Sequence, residues 1–308
     1  MLSAILTVVG LIMLCFGGNW LVSGGVAIAK KFRISNLVIG MTIVAYGTST
    51  PELAASVAAA GEHSAIILGN IIGSNIANVG MVIGIAAIIV PLAVRKSVLK
   101  KEIPIMLGVS VLLVLISIDG EISQYDGILL LGGLGAFAVY TFKDAMKQRE
   151  KNKEEIVSEK KNIYLKSAGL IGLGVGLLYV GAILTVDNAV ILAKEFGLSE
   201  KIIGLTVIAI GTSLPELITS IIAIRKGHAD IGVGNIIGSN IYNILMIMGV
   251  GATLGGVMIV SDVYVDYAIM IIFSLSLLIA LKTGIINRVM GICLSIGYVA
   301  YLAVTFFK

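Results

Sequence analysis

Two acidic motifs of nearly identical sequence, Gly47-Thr48-Ser49-Thr50-Pro51-Glu52 and Gly211-Thr212-Ser213-Leu214-Pro215-Glu216, lie 164 residues apart inside apolar stretches. Each is followed by the same eight residues, Gly69-Asn70-Ile71-Ile72-Gly73-Ser74-Asn75-Ile76 and Gly234-Asn235-Ile236-Ile237-Gly238-Ser239-Asn240-Ile241. A carboxylate within a membrane segment costs several kcal/mol and is ordinarily kept for an ion, a proton or a substrate. On a helix, Thr48 and Ser49 share the face of Glu52, and Thr212 and Ser213 that of Glu216, three and four residues away. In the following stretches Ser74 and Asn78 are four apart, as are Ser239 and Asn243. Carboxylate, hydroxyl and amide oxygens without thiolate or imidazole suit Na⁺ and Ca²⁺ and argue against zinc or copper. One Ser, Thr or Asn in a membrane helix is ordinarily interhelical hydrogen-bond glue. Two glutamates in matching contexts are not explained that way and point to one site built from two halves.

The prolines sharpen this reading. Pro51 and Pro215 fall mid-span, where proline lacks an N–H and clashes with the carbonyl four residues back, here that of Gly47 or Gly211. The second and seventh helices are expected to kink or break there. Carbonyls near residues 45–48 and 209–212 are thereby expected to be freed, and in a membrane such oxygens must find protein, water or a cation.

Composition makes this a membrane protein. The chain is 58% hydrophobic and 13% charged, where soluble domains are roughly a quarter charged. Residues 2–29, 64–94 and 231–261 carry no charge, and each run exceeds the ~20 residues that cross the hydrocarbon core. Helices are required, because no alternating barrel pattern occurs and unpaired backbone cannot face lipid. The N-terminal run lacks a basic leader and continues too far for a cleaved signal, so it is expected to be the first span.

Charge clusters and turns divide the chain into ten expected spans, at 2–29, 35–61, 64–91, 99–118, 124–143, 165–194, 199–225, 229–260, 264–282 and 286–307. Threading these alternately places 19 of the 22 Lys and Arg residues on one side, leaving only Lys194, Lys201 and Lys308 on the other. The positive-inside rule makes the first side cytoplasmic and both termini external. Residues 143–166 hold thirteen charged residues in twenty-four, eight basic and five acidic, and are expected to form a solvated cytoplasmic linker between segments 1–142 and 167–308.

The two segments are related. Residues 33–52 align with 197–216 at a constant offset, matching Ser, Ile-Gly, Thr, Ala and Gly-Thr-Ser. Each segment holds five expected spans, an odd number, so the second must enter the membrane in the opposite sense. Inverted repeats of this kind build alternating-access transporters, with the site at the midplane between the halves.

Other features have plainer readings. Cys15 and Cys293 are expected to be buried small hydrophobes. Gly17, Gly24 and the series Gly172, Gly174, Gly176 are expected to permit close helix packing. His63 and His228 fall in loops away from the glutamates, and Asp187 breaks the symmetry of the halves.

On the paired Gly-Thr-Ser-x-Pro-Glu and Gly-Ser-Asn-x-x-Asn motifs and the ten duplicated spans, the whole chain resembles the cation/calcium exchanger superfamily, and within it the small prokaryotic sodium/calcium exchangers. The resemblance implies an antiporter rather than an enzyme, electrogenic, with three Na⁺ entering for one Ca²⁺ leaving. It implies Ca²⁺ and Na⁺ as substrates, the lipid bilayer as surroundings, no cofactor, no nucleic acid and no obligatory protein partner. It places Ca²⁺ between Glu52, Glu216 and the carbonyls of Thr48 and Thr212. Flanking Na⁺ sites would use the threonine hydroxyls, Ser49, Ser213, Ser74, Ser239 and the carbonyls of Ala45 and Ala209, with Asn78 and Asn243 in the middle. Two departures matter. The 24-residue linker is too short for the calcium-sensing domain of animal exchangers, and Asn243 stands where potassium-dependent relatives have an acid. Proton-coupled calcium exchange is the nearest alternative, although such relatives typically carry Gly-Asn-x-x-Glu motifs.

Charge balance supports antiport independently. One Ca²⁺ cancels two glutamate charges, and two Na⁺ cancel them equally. A third Na⁺ leaves the loaded site positive by one, which makes the cycle voltage-sensitive at ~2.3 kcal/mol per charge per 100 mV.

Overall fold

The computed structural model describes residues 2–61, 63–151, 163–197, 209–259 and 263–307, and these form an all-helical bundle with two small two-stranded ladders. The helices are α1 (Leu2–Phe32), α2 (Asn36–Thr48), α3 (Thr50–Ala59), α4 (Ser64–Ile89), α5 (Glu102–Ile116), α6 (Gln124–Lys151), α7 (Ile163–Glu195), α8 (Ala209–Thr212), α9 (Leu214–Arg225), α10 (Ala229–Gly255), α11 (Val263–Leu281) and α12 (Arg288–Phe307). A short turn of helix at Lys96–Lys100 precedes α5. Among the described residues seven helices, α1, α4, α6, α7, α10, α11 and α12, are long and apolar enough to cross a membrane. The start of the expected seventh span and residues 152–162 of the expected linker lie outside the described residues. Helix α6 continues without interruption to Lys151, so the charged segment begins as an extension of the preceding helix.

Burial sorts the helices. The most apolar windows of α4 and α10 are each 83% buried, against 17–39% in the other five long helices. Helices α4 and α10 therefore sit at the centre, and they are the two that carry the Gly-Ser-Asn motifs. Their apolar side chains, among them Ile67, Ile71, Ile76, Ile236, Ile241 and Ile244, belong to the main core. The outer helices present large apolar residues such as Phe16, Phe142 and Val299 outward, as a bilayer-facing surface requires. Cys15 and Cys293 are on that outer surface rather than buried. Free thiols are apolar enough for lipid contact, so membrane burial removes the need for protein burial.

Helices α1 and α7 pack along a glycine seam. A Cβ on Gly17 would meet the Gly174 carbonyl at 2.8 Å and one on Gly174 the Gly17 carbonyl at 2.9 Å. Gly10 and Gly181 repeat the arrangement one heptad on, and Gly24 meets Ser167 and Ile171. Gly172 and Gly176, by contrast, have no described atom within 4 Å of a built Cβ, so only one glycine of that series serves the packing.

The ladders relate the two segments. Leu92–Ala93 (β1) pairs antiparallel with Ile285–Ile286 (β4), and Glu121–Ile122 (β2) with Val257–Met258 (β3). At the 164- to 165-residue offset of the repeat, 92–93 falls at 256–258 and 121–122 at 285–287. Each ladder thus joins the same two loops with the segments exchanged.

Candidate functional site

Each acidic motif lies at a break between helices. The Ser35 side chain caps α2 by accepting from the Val38 N–H at 3.3 Å, and α2 widens into a π-helical stretch at Gly40–Val44. The helical ladder stops at Ser49 (φ −83°, ψ 8°), and α3 begins with Thr50 and Pro51 in its first turn. In the second segment the break falls at Ser213 (φ −88°, ψ 3°), and α9 begins with Leu214 and Pro215. A proline in the first turn lacks a donor that the turn does not use. The break therefore accommodates Pro51 and Pro215 and puts Glu52 and Glu216 in the first turn of α3 and α9. Helix dipoles there favour negative charge. Beyond each glutamate a glycine with positive φ turns the chain back, Gly61 at 80° and Gly227 at 81°, which sends α4 and α10 past the carboxylates.

The expected site residues converge. Glu52 and Glu216 are 1% and 0% exposed, and their carboxylates lie close enough to repel each other. Ala45, Thr48, Ser49, Ser74, Asn78, Ser213, Ser239 and Asn243 are all buried as well, and Thr212 is half-buried. Ala209 is helical in α8, as Ala45 is in α2. The contacts run across the segments. Ser49 donates to Glu216 Oε1 at 3.1 Å, and the Thr48 hydroxyl lies 3.1 Å from Asn235 Oδ1 and 3.4 Å from Ser239 Oγ. Ser239 also reaches Glu216 Oε1 at 3.4 Å.

One expectation is corrected. The Ala45 carbonyl is not freed by the break, because it accepts the Ser49 N–H at 3.0 Å and the Thr48 hydroxyl at 3.3 Å. The chain turns at Ser49 tightly enough to keep this bond. The carbonyl that Pro51 cannot serve is that of Gly47.

The remaining oxygens define the chemistry. Both carboxylate oxygens of Glu52, Oε2 of Glu216, Oγ of Ser74 and Ser213, and Oδ1 of Asn78 and Asn243 are buried and have no hydrogen-bond partner among the described residues. These seven belong to six residues expected from the motifs. Buried polar atoms in folded proteins are almost always hydrogen-bonded, so seven such oxygens on the mutually packed helices α3, α4, α9 and α10 and the turn at Ser213 require another partner. A lining of carboxylate, hydroxyl and amide oxygens fits hard cations such as Na⁺ and Ca²⁺. Among the described residues no cluster of three His, Cys, Asp or Glu side chains occurs, so the lining offers no site for a softer metal.

A second layer holds the lining in place, and sequence reasoning did not single it out. Asn70 donates to the Glu52 backbone carbonyl and to Ser56 Oγ, both at 3.1 Å, which ties α4 to α3 behind the carboxylate. Asn235 donates to Ser220 Oγ at 3.0 Å. Asn75 and Asn240 cross-link α4 and α10 through their side chains and backbones. All four asparagines lie inside the repeated eight-residue motif, whose recurrence was the available signal. Directly beyond it, both central helices become π-helical, at Asn78–Ile83 and Asn243–Met248. Such bulges are frequent at functional sites.

Comparison with known proteins agrees with this geometry. The family model described as sodium/calcium exchanger protein matches residues 2–143 and 166–307. The inner membrane protein YrbG of Escherichia coli (strain K12) is 36% identical, over 99% of this chain and 97% of its own. The sodium/calcium exchanger MaX1 of Methanosarcina acetivorans is 34% identical over 98% of both chains. Among solved structures, the sodium-calcium exchanger NCX_Mj soaked with 2.5 mM Na⁺ and 10 mM Sr²⁺ superposes with a TM-score of 0.86, at 36% identity over 98% of both chains.

Proposed function

The chain belongs to the sodium/calcium exchanger protein family, and from that premise we propose that it exchanges Na⁺ for Ca²⁺ across the membrane by alternating access. The family and fold are those of a membrane transporter, not an enzyme. The observation that carries the proposal is the set of seven buried oxygens, three of them from Glu52 and Glu216, that have no hydrogen-bond partner among the described residues.

In this reading the protein is built of ten spans in two inverted five-span repeats, 1–142 and 167–308, joined by a cytoplasmic linker at 143–166, with both termini external. The family match in two separate pieces, the recurrence of both motifs and the exchanged pairing of the ladders support the duplication. The skew of basic residues supports the orientation.

Glu52, Glu216 and the backbone oxygens of Thr48 and Thr212 hold Ca²⁺. Ser49, Ser213, Ser74, Ser239, the threonine hydroxyls and the Ala209 carbonyl complete flanking Na⁺ sites, with Asn78 and Asn243 between them. Two carboxylates out of water repel each other, and either one Ca²⁺ or several Na⁺ removes that cost. The protein without ions is then the form least able to pass between orientations, which couples the two fluxes. With neutral amides at 78 and 243, three Na⁺ leave one positive charge on the loaded site, so exchange is electrogenic and needs no K⁺. Uptake of ⁴⁵Ca²⁺ into proteoliposomes under opposed Na⁺, K⁺ and H⁺ gradients tests this reading, and uptake that follows H⁺ and ignores Na⁺ would replace it with proton-coupled exchange.

A further inference from the structure

We propose that Asn75 and Asn240 are positioning residues that decide which end of the Asn78 and Asn243 amides faces the transported ions, a role that rests on the antiport reading above. The inference follows from donor and acceptor arithmetic. A side-chain amide has one end that donates and one that accepts, and the two ends have nearly the same shape. For an ion-lining asparagine the difference is decisive, since the oxygen attracts a cation and the NH₂ repels it.

The orientation is fixed from the backbone outward. A backbone carbonyl can only accept. The Asn75 side chain meets the Asn240 carbonyl at 3.3 Å and the Asn240 side chain meets the Asn75 carbonyl at 3.3 Å, so each commits its Nδ2 to the opposite helix. Asn75 Nδ2 also faces Met270 Sδ at 3.7 Å, a weak acceptor that favours the same orientation. Each Oδ1 must then point the other way. Asn75 Oδ1 there accepts from Asn243 Nδ2 at 2.9 Å, and Asn240 Oδ1 accepts from Asn78 Nδ2 at 3.0 Å. With their nitrogens held, Asn243 and Asn78 turn their oxygens away from Asn75 and Asn240, and these are two of the seven buried oxygens with no hydrogen-bond partner among the described residues.

All four amides are at most 1% exposed, so no water competes for these bonds. The relation is also crossed. Asn75 on α4 orients Asn243 on α10, and Asn240 on α10 orients Asn78 on α4. Each segment thus polarises the other's ion ligand.

The test separates orientation from bulk packing. Asn75→Leu keeps the branched outline of the side chain at a larger volume but removes the acceptor that holds Asn243, leaving that amide free to turn its NH₂ inward. Apparent Ca²⁺ affinity of the purified protein in proteoliposomes is expected to fall about 10- to 100-fold, as for other residues that orient metal ligands. Asn243→Asp places oxygen at both ends of the side chain and so has no wrong orientation. In that background Asn75→Leu is expected to change affinity by no more than about twofold, or to improve it by removing the facing Asn75 oxygen. The reciprocal cycle, Asn240→Leu with and without Asn78→Asp, gives the same reading should one variant not fold, and thermal unfolding of each purified variant identifies that case. Equal penalties in the two backgrounds would overturn the positioning role and leave antiport intact. Absence of Na⁺-dependent Ca²⁺ exchange by the unsubstituted protein would instead overturn the antiport reading, and this inference with it.

Discussion

Ser49 donates a hydrogen bond to Glu216 at 3.1 Å across the two segments, whereas among the described residues the hydroxyl of its counterpart Ser213 and both carboxylate oxygens of Glu52 are buried without a hydrogen-bond partner. Motifs of matching sequence are thus in different states of satisfaction. In Na⁺- and Ca²⁺-free buffer, Ser49→Ala should lower stability by about 1.5–3 kcal/mol, the range for a hydrogen bond to a charged group. Ser213→Ala should change it little. Thermal unfolding of the two variants checks this, and equal losses would contradict the asymmetry.

The carboxylates should act oppositely on transport and on stability. Glu52→Gln or Glu216→Gln leaves half of the Ca²⁺ charge unbalanced, a loss of about 3–5 kcal/mol by analogy with broken buried ion pairs, enough to abolish measurable exchange. The same substitutions remove a buried, repelled charge, so the ion-free variants should unfold at a higher temperature than the parent. Near-normal Ca²⁺ flux in either variant would refute the two-carboxylate site.

The helix seam through Gly40 should be intolerant of even one carbon. A Cβ there would meet the Ile231 carbonyl oxygen at 2.5 Å, where α2 of the first segment crosses α10 of the second. Gly40→Ala should cost about 1–3 kcal/mol through overpacking. Gly135→Ala, with no described atom within 4 Å of the added carbon, should be neutral. Comparable melting temperatures for the two variants would contradict the close crossing.

Orientation can be settled by labelling. In a background with Cys15 and Cys293 replaced by serine, a cysteine at Asn152 should resist an impermeant thiol reagent applied to intact cells and react in inverted vesicles. Labelling from outside would reverse the assignment that rests on the positions of the basic residues.

The motif residues were legible because their signals were local. A glutamate in an apolar stretch is costly wherever the helix lies, and a serine three residues earlier shares its face by helical geometry alone. Recurrence of both motifs then indicated that two distant stretches meet. The second layer was less legible. Asn75 and Asn240 resemble any membrane asparagine until the crossing of α4 and α10 brings each side chain to the other's backbone. The Ala45 carbonyl was misjudged for a related reason. A proline two residues past Ser49 removes a donor, but only the turn angles at Ser49 decide which carbonyl loses its partner. Cys15 and Cys293 were misplaced because an apolar neighbourhood in sequence does not distinguish the protein interior from lipid.

Coupling is the central claim, and one measurement reaches it directly. Purified protein in liposomes loaded with Na⁺ should take up ⁴⁵Ca²⁺ from a Na⁺-free, K⁺-free medium at uniform pH. The rate should change when a membrane potential is imposed, because a net charge moves in each cycle at ~2.3 kcal/mol per 100 mV. Sodium-driven uptake that ignores voltage would leave the coupling standing and remove the three-to-one count. Uptake that requires K⁺ on the Ca²⁺ side, or that follows a pH gradient and not a Na⁺ gradient, would contradict the account.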